Sequence, residues 1–168
     1  MLTNYFPDFY FNKVEEIPIT LLIKNNIKGI IFDLDNTLTD CFNKVSPKLK
    51  GWIENLKSFN ITPIILSNSI IHKRVRKIAN DFNIHYICNA KKPNSDGFHK
   101  ALKLLNLKKE NIVIVGDQVF TDIAGGKKVG IKTILVHPIS FIEFPFILLK
   151  RIFEIPIIIA YKKSKKPR

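Results

Sequence analysis

Short apolar runs alternate with segments of helical period along most of this chain. The runs are rich in isoleucine, valine and phenylalanine, which favour strands, while the segments between them place apolar residues three and four positions apart. Strands are predicted at 27–32, 61–66, 84–88, 112–115 and 133–136, and helices at 47–59, 70–82, 95–105 and 121–129. This alternation predicts an α/β fold with a doubly wound, mostly parallel, Rossmann-like sheet.

Polar side chains follow each of the first four predicted strands at the point where the strand ends. In chain order they are Asp33 and Asp35, then Ser67 and Asn68, then Lys92, then Asp117 and Asp122. The carboxyl ends of parallel strands meet at one edge of a sheet, so we expect these side chains in one crevice. Two carboxylates at the end of a buried strand need solvation, a paired charge or a metal ion, and carboxylate oxygens suit Mg²⁺.

These residues supply the parts that phosphoryl transfer through an aspartyl-phosphate requires. Asp33 can attack phosphorus while its second oxygen binds Mg²⁺. Asp35 can protonate the leaving oxygen and later deprotonate the attacking water, while its backbone carbonyl faces the metal. Ser67 and Lys92 can bind the phosphoryl oxygens as these gain negative charge. The sequence therefore predicts a phosphomonoester hydrolase in which Asp33, Asp35, Ser67 and Lys92 are catalytic.

Two further sets of residues follow from these roles. The predicted metal ligands are Asp33, Asp35, Asp117 and Asp122, the last acting directly or through water. The predicted substrate-binding residues are Thr37, Ser67, Asn68 and Lys92, although a hydrogen bond within its own loop is the favoured role of Thr37.

The order of these motifs resembles the haloacid dehalogenase superfamily of phosphohydrolases. The matching segments are Asp33-Leu34-Asp35-Asn36-Thr37, Ile64-Ile65-Leu66-Ser67-Asn68, Lys92-Pro93 and Gly116-Asp117-Gln118-Val119-Phe120-Thr121-Asp122. A narrower likeness, from about Phe6 to Phe153, is to the capless subclass IIIA group that includes bacterial YqeG proteins and mitochondrial phosphatidylglycerophosphatases. It depends on Phe6-Pro7-Asp8, on Gly125-Gly126 and on the absence of room for a cap domain.

The resemblance implies a Mg²⁺-dependent phosphatase core over residues 1–138 without a cap domain. It also implies phosphatidylglycerophosphate as the substrate and phosphatidylglycerol as the product. A capless crevice suits a bulky substrate or one presented on a surface. Between Lys91 and Lys92, the family pattern favours Lys92, because the family lysine comes directly before proline.

The formal net charge of +13 predicts an acidic partner, which can be an anionic membrane surface, nucleic acid or a phosphorylated substrate. The two cysteines, Cys41 and Cys88, have no metal-ligand spacing and fit a reducing compartment. The first residues lack the apolar stretch of an export signal. We therefore expect a cytoplasmic protein that makes peripheral contact with the inner face of the membrane.

Residues 139–168 form an apolar and basic extension that ends in Lys162-Lys163-Ser164-Lys165-Lys166-Pro167-Arg168. Four charges near its centre, Glu143, Lys150, Arg151 and Glu154, argue against a membrane-spanning helix. An apolar segment followed by a basic cluster is typical of a helix that lies in the membrane interface. A last helix packed on the sheet, or a dimer contact, stays an alternative.

Rival functions remain open on the sequence. A phosphatase acting on nucleic-acid ends, nucleotides or other soluble phosphomonoesters would share the same site, and for a polynucleotide it would use the basic surface. A receiver module has a similar sheet, but its phosphoacceptor aspartate belongs after the third strand, where this chain has Asn89-Ala90-Lys91-Lys92. A structural scaffold has little reason to keep all four motifs.

Overall fold

A single sheet of six parallel strands forms the centre of the molecule. The computed structural model describes residues 2–140 and 145–165. The strands are β1 (Phe9–Phe11), β2 (Gly29–Phe32), β3 (Thr62–Leu66), β4 (His85–Ile87), β5 (Ile112–Gly116) and β6 (Lys132–Val136). Their spatial order is β1-β6-β5-β2-β3-β4, and every neighbouring pair is parallel. The predicted fold class is confirmed.

Helices connect the strands and cover both faces of the sheet. They are α1 (Ile19–Lys24), α2 (Pro47–Ser58), α3 (His72–Asp81), α4 (Ser95–Leu105), α5 (Ala124–Val129) and α6 (Pro145–Ser164). Short 3-10 turns lie at Leu2–Tyr5, Val14–Glu16 and Lys109–Asn111, and a π-helical turn at Val119–Ile123 leads into α5. The Ser46 hydroxyl caps α2 by accepting a hydrogen bond from the Leu49 N–H (3.3 Å), and Asn94 caps α4.

The predicted elements agree with the observed ones, with differences at their ends. The first predicted strand begins at Gly29 and not at residue 27, and the third covers only His85–Ile87. The helix predicted over 121–129 is divided between the π-helical turn and α5. The sequence missed β1 and α1, because segments of three and six residues are too short to show a period.

Alternate residues of the central strands face opposite layers of the core. Ile30 and Phe32 pack with α2 and α3, whereas Ile31 packs with Phe98 of α4 and Val129 of α5. β2 is buried on both faces, which explains why its sequence is apolar at every position. The buried sheet is therefore a rigid support for the loops that follow the strands.

The register of the central strands brings their carboxyl ends level. Phe32 at the end of β2 lies opposite Ile65 of β3 on one side and Val115 of β5 on the other. The chain runs outward from β2 in one direction through β3 and β4, and β5 and β6 lie on the other side. The change in strand order between β2 and β5 is the place where parallel α/β sheets bind ligands.

One face of α6 packs on this sheet domain. Ile157 and Tyr161 are buried, and Ile157 joins a small cluster with Val119, Ile123 and Leu135. The opposite side exposes the apolar residues Leu148, Leu149, Ile152, Phe153, Ile155 and Ile159. Among the described residues, no helix is both long enough and apolar enough to cross a bilayer.

Parts of the predicted C-terminal extension lie outside the described residues, namely 141–144 and 166–168. The boundary predicted at residue 138 stays a prediction. The two alternatives raised for this extension are compatible in part, because α6 packs on the core with one face and exposes apolar side chains on the other.

Asp8 holds the edge strand β1 against β6. Its Oδ2 accepts hydrogen bonds from the Thr133 N–H (2.8 Å) and the Thr133 hydroxyl (2.9 Å), and its Oδ1 accepts one from the Lys127 ammonium (2.6 Å). Burial raises the pKa of Asp8, but the hydrogen bonds from Lys127 and Thr133 outweigh burial, so the pKa is lowered overall.

Asp8→Asn should lower the thermal midpoint at neutral pH, with a loss of about 1 kcal/mol. Because the folded-state pKa of Asp8 lies below its unfolded value, the stabilising charge is present above the unfolded pKa and disappears as the pH falls through the folded one. The difference in midpoint between wild type and variant should therefore shrink in acid. Thermal unfolding from pH 7 to pH 3 measures it, with Asp81→Asn as an exposed control. A difference that stays constant with pH contradicts the assignment.

Candidate active site

Three carboxylates converge where β2 and β5 end. Asp33 follows β2, and its backbone N–H donates to the Val115 carbonyl (2.9 Å); Asp117 follows β5. Asp122 lies in the π-helical turn and returns over the end of β5. One oxygen from each of the three carboxylates lies within 4.8 Å of the others, and all three residues are buried.

Gly116 makes the return of Asp122 possible. A Cβ atom at position 116 would lie 2.3 Å from the Asp122 carboxyl group, a distance at which atoms overlap. The Asp122 carboxylate is further held by a hydrogen bond that it accepts from the Gln118 N–H (3.2 Å). The glycine before Asp117 is thus needed for the close approach of Asp122 to the end of β5.

Lys92 lies at the centre of these charges. Its ammonium contacts Asp33 Oδ1 (2.5 Å) and Asp122 Oδ1 (2.7 Å), and its side chain is 1% exposed. Burial by itself lowers the pKa of Lys92, but the Asp122 and Asp33 carboxylates raise it more, so the lysine stays charged. Lys91 is exposed, so of the two lysines weighed from the sequence it is Lys92 that the fold brings to Asp33.

The pKa of Asp33 is held well above its usual range. Burial is the main cause, and the charges of Asp122 and Asp117 add to it, while Lys92 opposes both. A group of buried carboxylates with this energetic cost fits a divalent cation that prefers oxygen ligands. The donor set formed by Asp33, Asp117 and Asp122 therefore suits a hard divalent metal ion.

The Asp35 carboxylate lies apart from this group. It is about half exposed, and Arg74 donates to its Oδ1 from Nη2. The sequence predicted that the backbone carbonyl of Asp35 faces the metal, and this stays a prediction. Whether Asp122 contacts the metal directly or through water is also untested. The Asp35 side chain faces the open part of the crevice, next to Arg74.

Ser67 and Asn68 follow β3 and shape the loop that carries Lys92. The buried Ser67 hydroxyl oxygen accepts a hydrogen bond from the Ser69 N–H (3.0 Å). The Asn68 amide accepts from the Lys92 N–H (2.6 Å) and donates to the Lys92 carbonyl (3.1 Å). Asn68 thus positions Lys92, and direct contact of Ser67 or Asn68 with substrate stays a prediction.

Thr37 bonds within its own loop, as favoured from the sequence, since its backbone N–H donates to the Leu34 carbonyl (3.4 Å), and its side chain makes a further bond outside the loop. Its hydroxyl donates to Asp117 Oδ1 (3.2 Å), across the space between the loops that follow β2 and β5. The sequence could not reveal this bond, because the two residues are 80 positions apart. Thr37 helps to orient the Asp117 carboxylate.

Sequence reasoning missed Arg151 and Glu154 as residues of the site. Arg151 of α6 donates from Nη1 to the Asp117 carbonyl (2.6 Å) and from Nη2 to Asp117 Oδ2. Arg151 Nη1 also lies 3.5 Å from Glu154 Oε2, and Glu154 Oε1 accepts from the Phe120 N–H (3.0 Å). The sequence did contain a signal, because Arg151 and Glu154 are charged residues in an otherwise apolar segment. We took these charges only as an argument against a membrane-spanning helix.

Burial raises the pKa of Glu154 to about 7. The Phe120 N–H and Arg151 oppose this rise, whereas Asp117 and Asp122 add to it. A carboxylate is costly in such a place, and its pairing with Arg151 offsets part of the cost. Arg151 therefore links α6 to Asp117 and is paired with Glu154 of the same helix.

An open crevice of about 590 Å³ leads to this centre. Its lining includes Asp33 and Lys92, and also Asp35, Arg74 and Lys150. Ile70 and Ile71 line it as well and are exposed. A second cavity of about 630 Å³ touches Thr37 but includes none of the three converging carboxylates, so the first cavity is the candidate active-site crevice.

Comparisons with known proteins identify phosphatases that are similar to this chain. A HAD-hydrolase-like family model matches residues 89–138. A Bacillus subtilis (strain 168) protein named "Probable phosphatase YqeG" is 36% identical over 166 residues, covering 98% of this chain and 96% of that protein. Phosphatidylglycerophosphate phosphatase 1, chloroplastic/mitochondrial, of Arabidopsis thaliana is 28% identical over 158 residues, covering 88% of this chain and 45% of that protein.

A solved structure supports the fold. The cobalt-bound deoxy-D-mannose-octulosonate 8-phosphate phosphatase of Haemophilus influenzae superposes with a TM-score of 0.53 at 18% identity, covering 83% of this chain and 92% of that one. At this identity the likeness concerns the fold alone.

The carboxylate cluster predicts that Mg²⁺ stabilises the folded protein. Mg²⁺ at a hundred times its dissociation constant should add about 2.7 kcal/mol and raise the thermal midpoint. Asp117→Asn removes one of the three carboxylates and should reduce this rise, as measured by differential scanning fluorimetry with and without Mg²⁺. Asp96→Asn, at an exposed position, should keep the full rise. An equal rise in wild type and Asp117→Asn argues against a metal at this cluster.

Proposed function

We propose that Asp33 is the nucleophile of a Mg²⁺-dependent phosphomonoester hydrolase. The premise is that this chain belongs to the haloacid dehalogenase (HAD) superfamily of phosphatases and to its YqeG-like group. The observation that carries this proposal is the buried Asp33 carboxylate, which lies against Lys92 and within 4.8 Å of Asp117 and Asp122. Such a centre can hold a phosphoryl group between a nucleophile and fixed positive charge.

In the proposed first step, an Asp33 oxygen forms a bond to phosphorus as the bond from phosphorus to the ester oxygen breaks. Asp35 gives its proton to the leaving oxygen. In the second step Asp35 takes a proton from the attacking water, whose oxygen bonds to phosphorus as the bond from phosphorus to Asp33 breaks and inorganic phosphate leaves. Lys92 neutralises charge on the phosphoryl oxygens, to which the Ser67 hydroxyl donates. A divalent cation at the cluster, Mg²⁺ in this proposal, supplies further charge neutralisation when bound.

The proposed substrate is an anionic phospholipid monoester, phosphatidylglycerophosphate. The similar protein from Arabidopsis thaliana is named as a phosphatidylglycerophosphate phosphatase. Its sequence, 28% identical to this chain, supports the proposed substrate by similarity. Support from the structure is that the crevice is open and has apolar residues around its mouth. Ile70 and Ile71 line the crevice and are exposed.

The exposed face of α6 is a second apolar surface, on the helix whose Lys150 lines the crevice. Ile152 and Phe153 are 60% and 63% exposed, and Lys162 and Lys163 lie in the last turn of the helix. Apolar side chains that insert between lipids, together with lysines that attract anionic headgroups, make peripheral membrane binding durable. We propose that this face lies on the anionic membrane, with the crevice open towards the lipid headgroups.

The lipid proposal predicts phosphate release from vesicles. Vesicles that contain phosphatidylglycerophosphate should release inorganic phosphate in the presence of Mg²⁺, and Asp33→Asn should lower the rate by roughly a thousandfold or more. A parallel panel contains sugar, nucleotide and peptide phosphomonoesters and phosphorylated polynucleotide ends. Good turnover of soluble monoesters without release from the lipid would falsify the lipid substrate. Salt-sensitive binding and turnover of polynucleotide ends would favour the nucleic-acid rival instead.

The membrane proposal predicts a loss of vesicle binding when the outer face of α6 becomes polar. Ile152→Ser with Phe153→Ser should weaken co-sedimentation with anionic vesicles by about tenfold or more, because two inserted apolar side chains are lost. The matched control is Ile23→Ser with Phe59→Ser, which removes similarly exposed apolar side chains from segments before the amino ends of β2 and β3. Equal losses in both double variants, or no loss in either, contradict the proposed orientation.

A further inference from the structure

Arg74 is a cation on the leaving-group side of the crevice, and the assigned chemistry does not use it. It lies in the first turn of α3, and its side chain is 23% exposed. Its guanidinium donates from Nη2 to Asp35 Oδ1 and from Nε to Asn43 Oδ1. Of the neighbouring cations on this helix, Lys73, Arg76 and Lys77 are exposed and do not line this crevice.

The position of Asp35 decides what Arg74 faces. In-line attack places the leaving oxygen on the side of phosphorus opposite Asp33, and Asp35 must reach that oxygen to protonate it. Whatever is attached to the leaving oxygen therefore extends past Asp35 into the part of the crevice where Arg74 lies. Lys150 lines the same crevice and adds positive charge there.

The chemistry of Arg74 suits an oxyanion with several acceptors. A guanidinium presents five N–H donors in a planar fork, more than its two hydrogen bonds among the described residues use. Its partial burial reduces competition from water and strengthens a contact with an anion. Lys92, by contrast, is buried and already contacts two carboxylates at the floor of the site.

We propose that Arg74 forms a subsite for a second anionic group, a phosphodiester, on the alcohol that leaves. This inference rests on the proposed phosphatase function and deepens it: it names the residue that distinguishes phosphomonoesters whose leaving alcohol also carries a phosphodiester from those that lack one. In such a substrate the phosphodiester replaces part of the contact between Arg74 and Asp35. Arg74 is then a specificity-determining residue, since it distinguishes leaving groups.

Two water-soluble substrates test the subsite without a lipid surface. One is glycerol 3-phosphate, and the other is the deacylated headgroup, glycerophosphoglycerol phosphate, which has the same scissile ester and an added phosphodiester. Wild-type kcat/KM should favour the headgroup by roughly 10- to 100-fold, as a charge-assisted hydrogen bond implies. Arg74→Gln should bring the ratio close to one, and Arg74→Lys should leave an intermediate ratio, because it keeps the charge but not the fork.

Controls separate this subsite from a merely structural role. Arg76→Gln makes the same chemical change at an exposed position on the same helix and should keep the wild-type ratio. Thermal midpoints identify any variant that folds poorly, and the ratio of the two substrates is independent of the fraction of active enzyme. Equal losses on both substrates in Arg74→Gln leave the ratio unchanged; this would show that Arg74 only orients Asp35 and would overturn the subsite.

Failure of the Arg74 subsite can be distinguished from failure of the proposed lipid substrate. Hydrolysis of the lipid in vesicles without preference for the phosphodiester headgroup overturns the subsite and leaves the lipid function in place. Preference for the headgroup without hydrolysis of the lipid supports the subsite and removes the membrane substrate, so that the second anion is then recognised on a soluble compound.

Discussion

Three negative charges brought within 4.8 Å at the end of a parallel sheet are the constraint around which this molecule is arranged. Carboxylates in such a place repel one another and lose solvation, so the surrounding structure must supply positive charge and hydrogen-bond donors. Lys92 arrives from the loop after β4, Arg151 from α6, and the Thr37 hydroxyl from the loop after β2. The site therefore joins segments that are far apart in the chain, and its residues support the fold as well as the chemistry.

Helix α6 has two faces with different physical roles. Towards the core, Arg151 contacts Asp117, Glu154 accepts from the Phe120 N–H, and Ile157 is buried. Towards solvent, apolar residues such as Ile152 and Phe153 are exposed. A helix that served only to cover the sheet would show the reverse distribution of polar and apolar residues. The charged contacts fix the helix beside the crevice, and this places its apolar outer face near the site.

The elements that the sequence predicted well are those with a strong period or a strong end signal. Helix α4 is observed with its predicted bounds, since Asn94 caps its start and the left-handed Asn106 ends it. Strand β1 was missed because three residues are too few to show a period, and because its pairing partners in β6, such as Ile134 opposite Phe9, are distant in the chain. Arg74 lies in a run of basic residues, and nothing in that run distinguishes it from Arg76 before the fold orients the helix.

The sequence by itself determined a parallel α/β sheet, through the order of its strands and helices. It also placed acidic and basic side chains at one edge of that sheet, because they follow the ends of the strands. This is because strand alternation and strand-end chemistry are local properties of the chain. Only the tertiary structure decided which of those side chains meet. It brings together Asp33, Asp117 and Asp122, turns the Asp35 carboxylate towards Arg74, and adds Arg151 from the last helix. The physical reason is that register between distant strands, and the packing of α6, set distances that no local pattern contains.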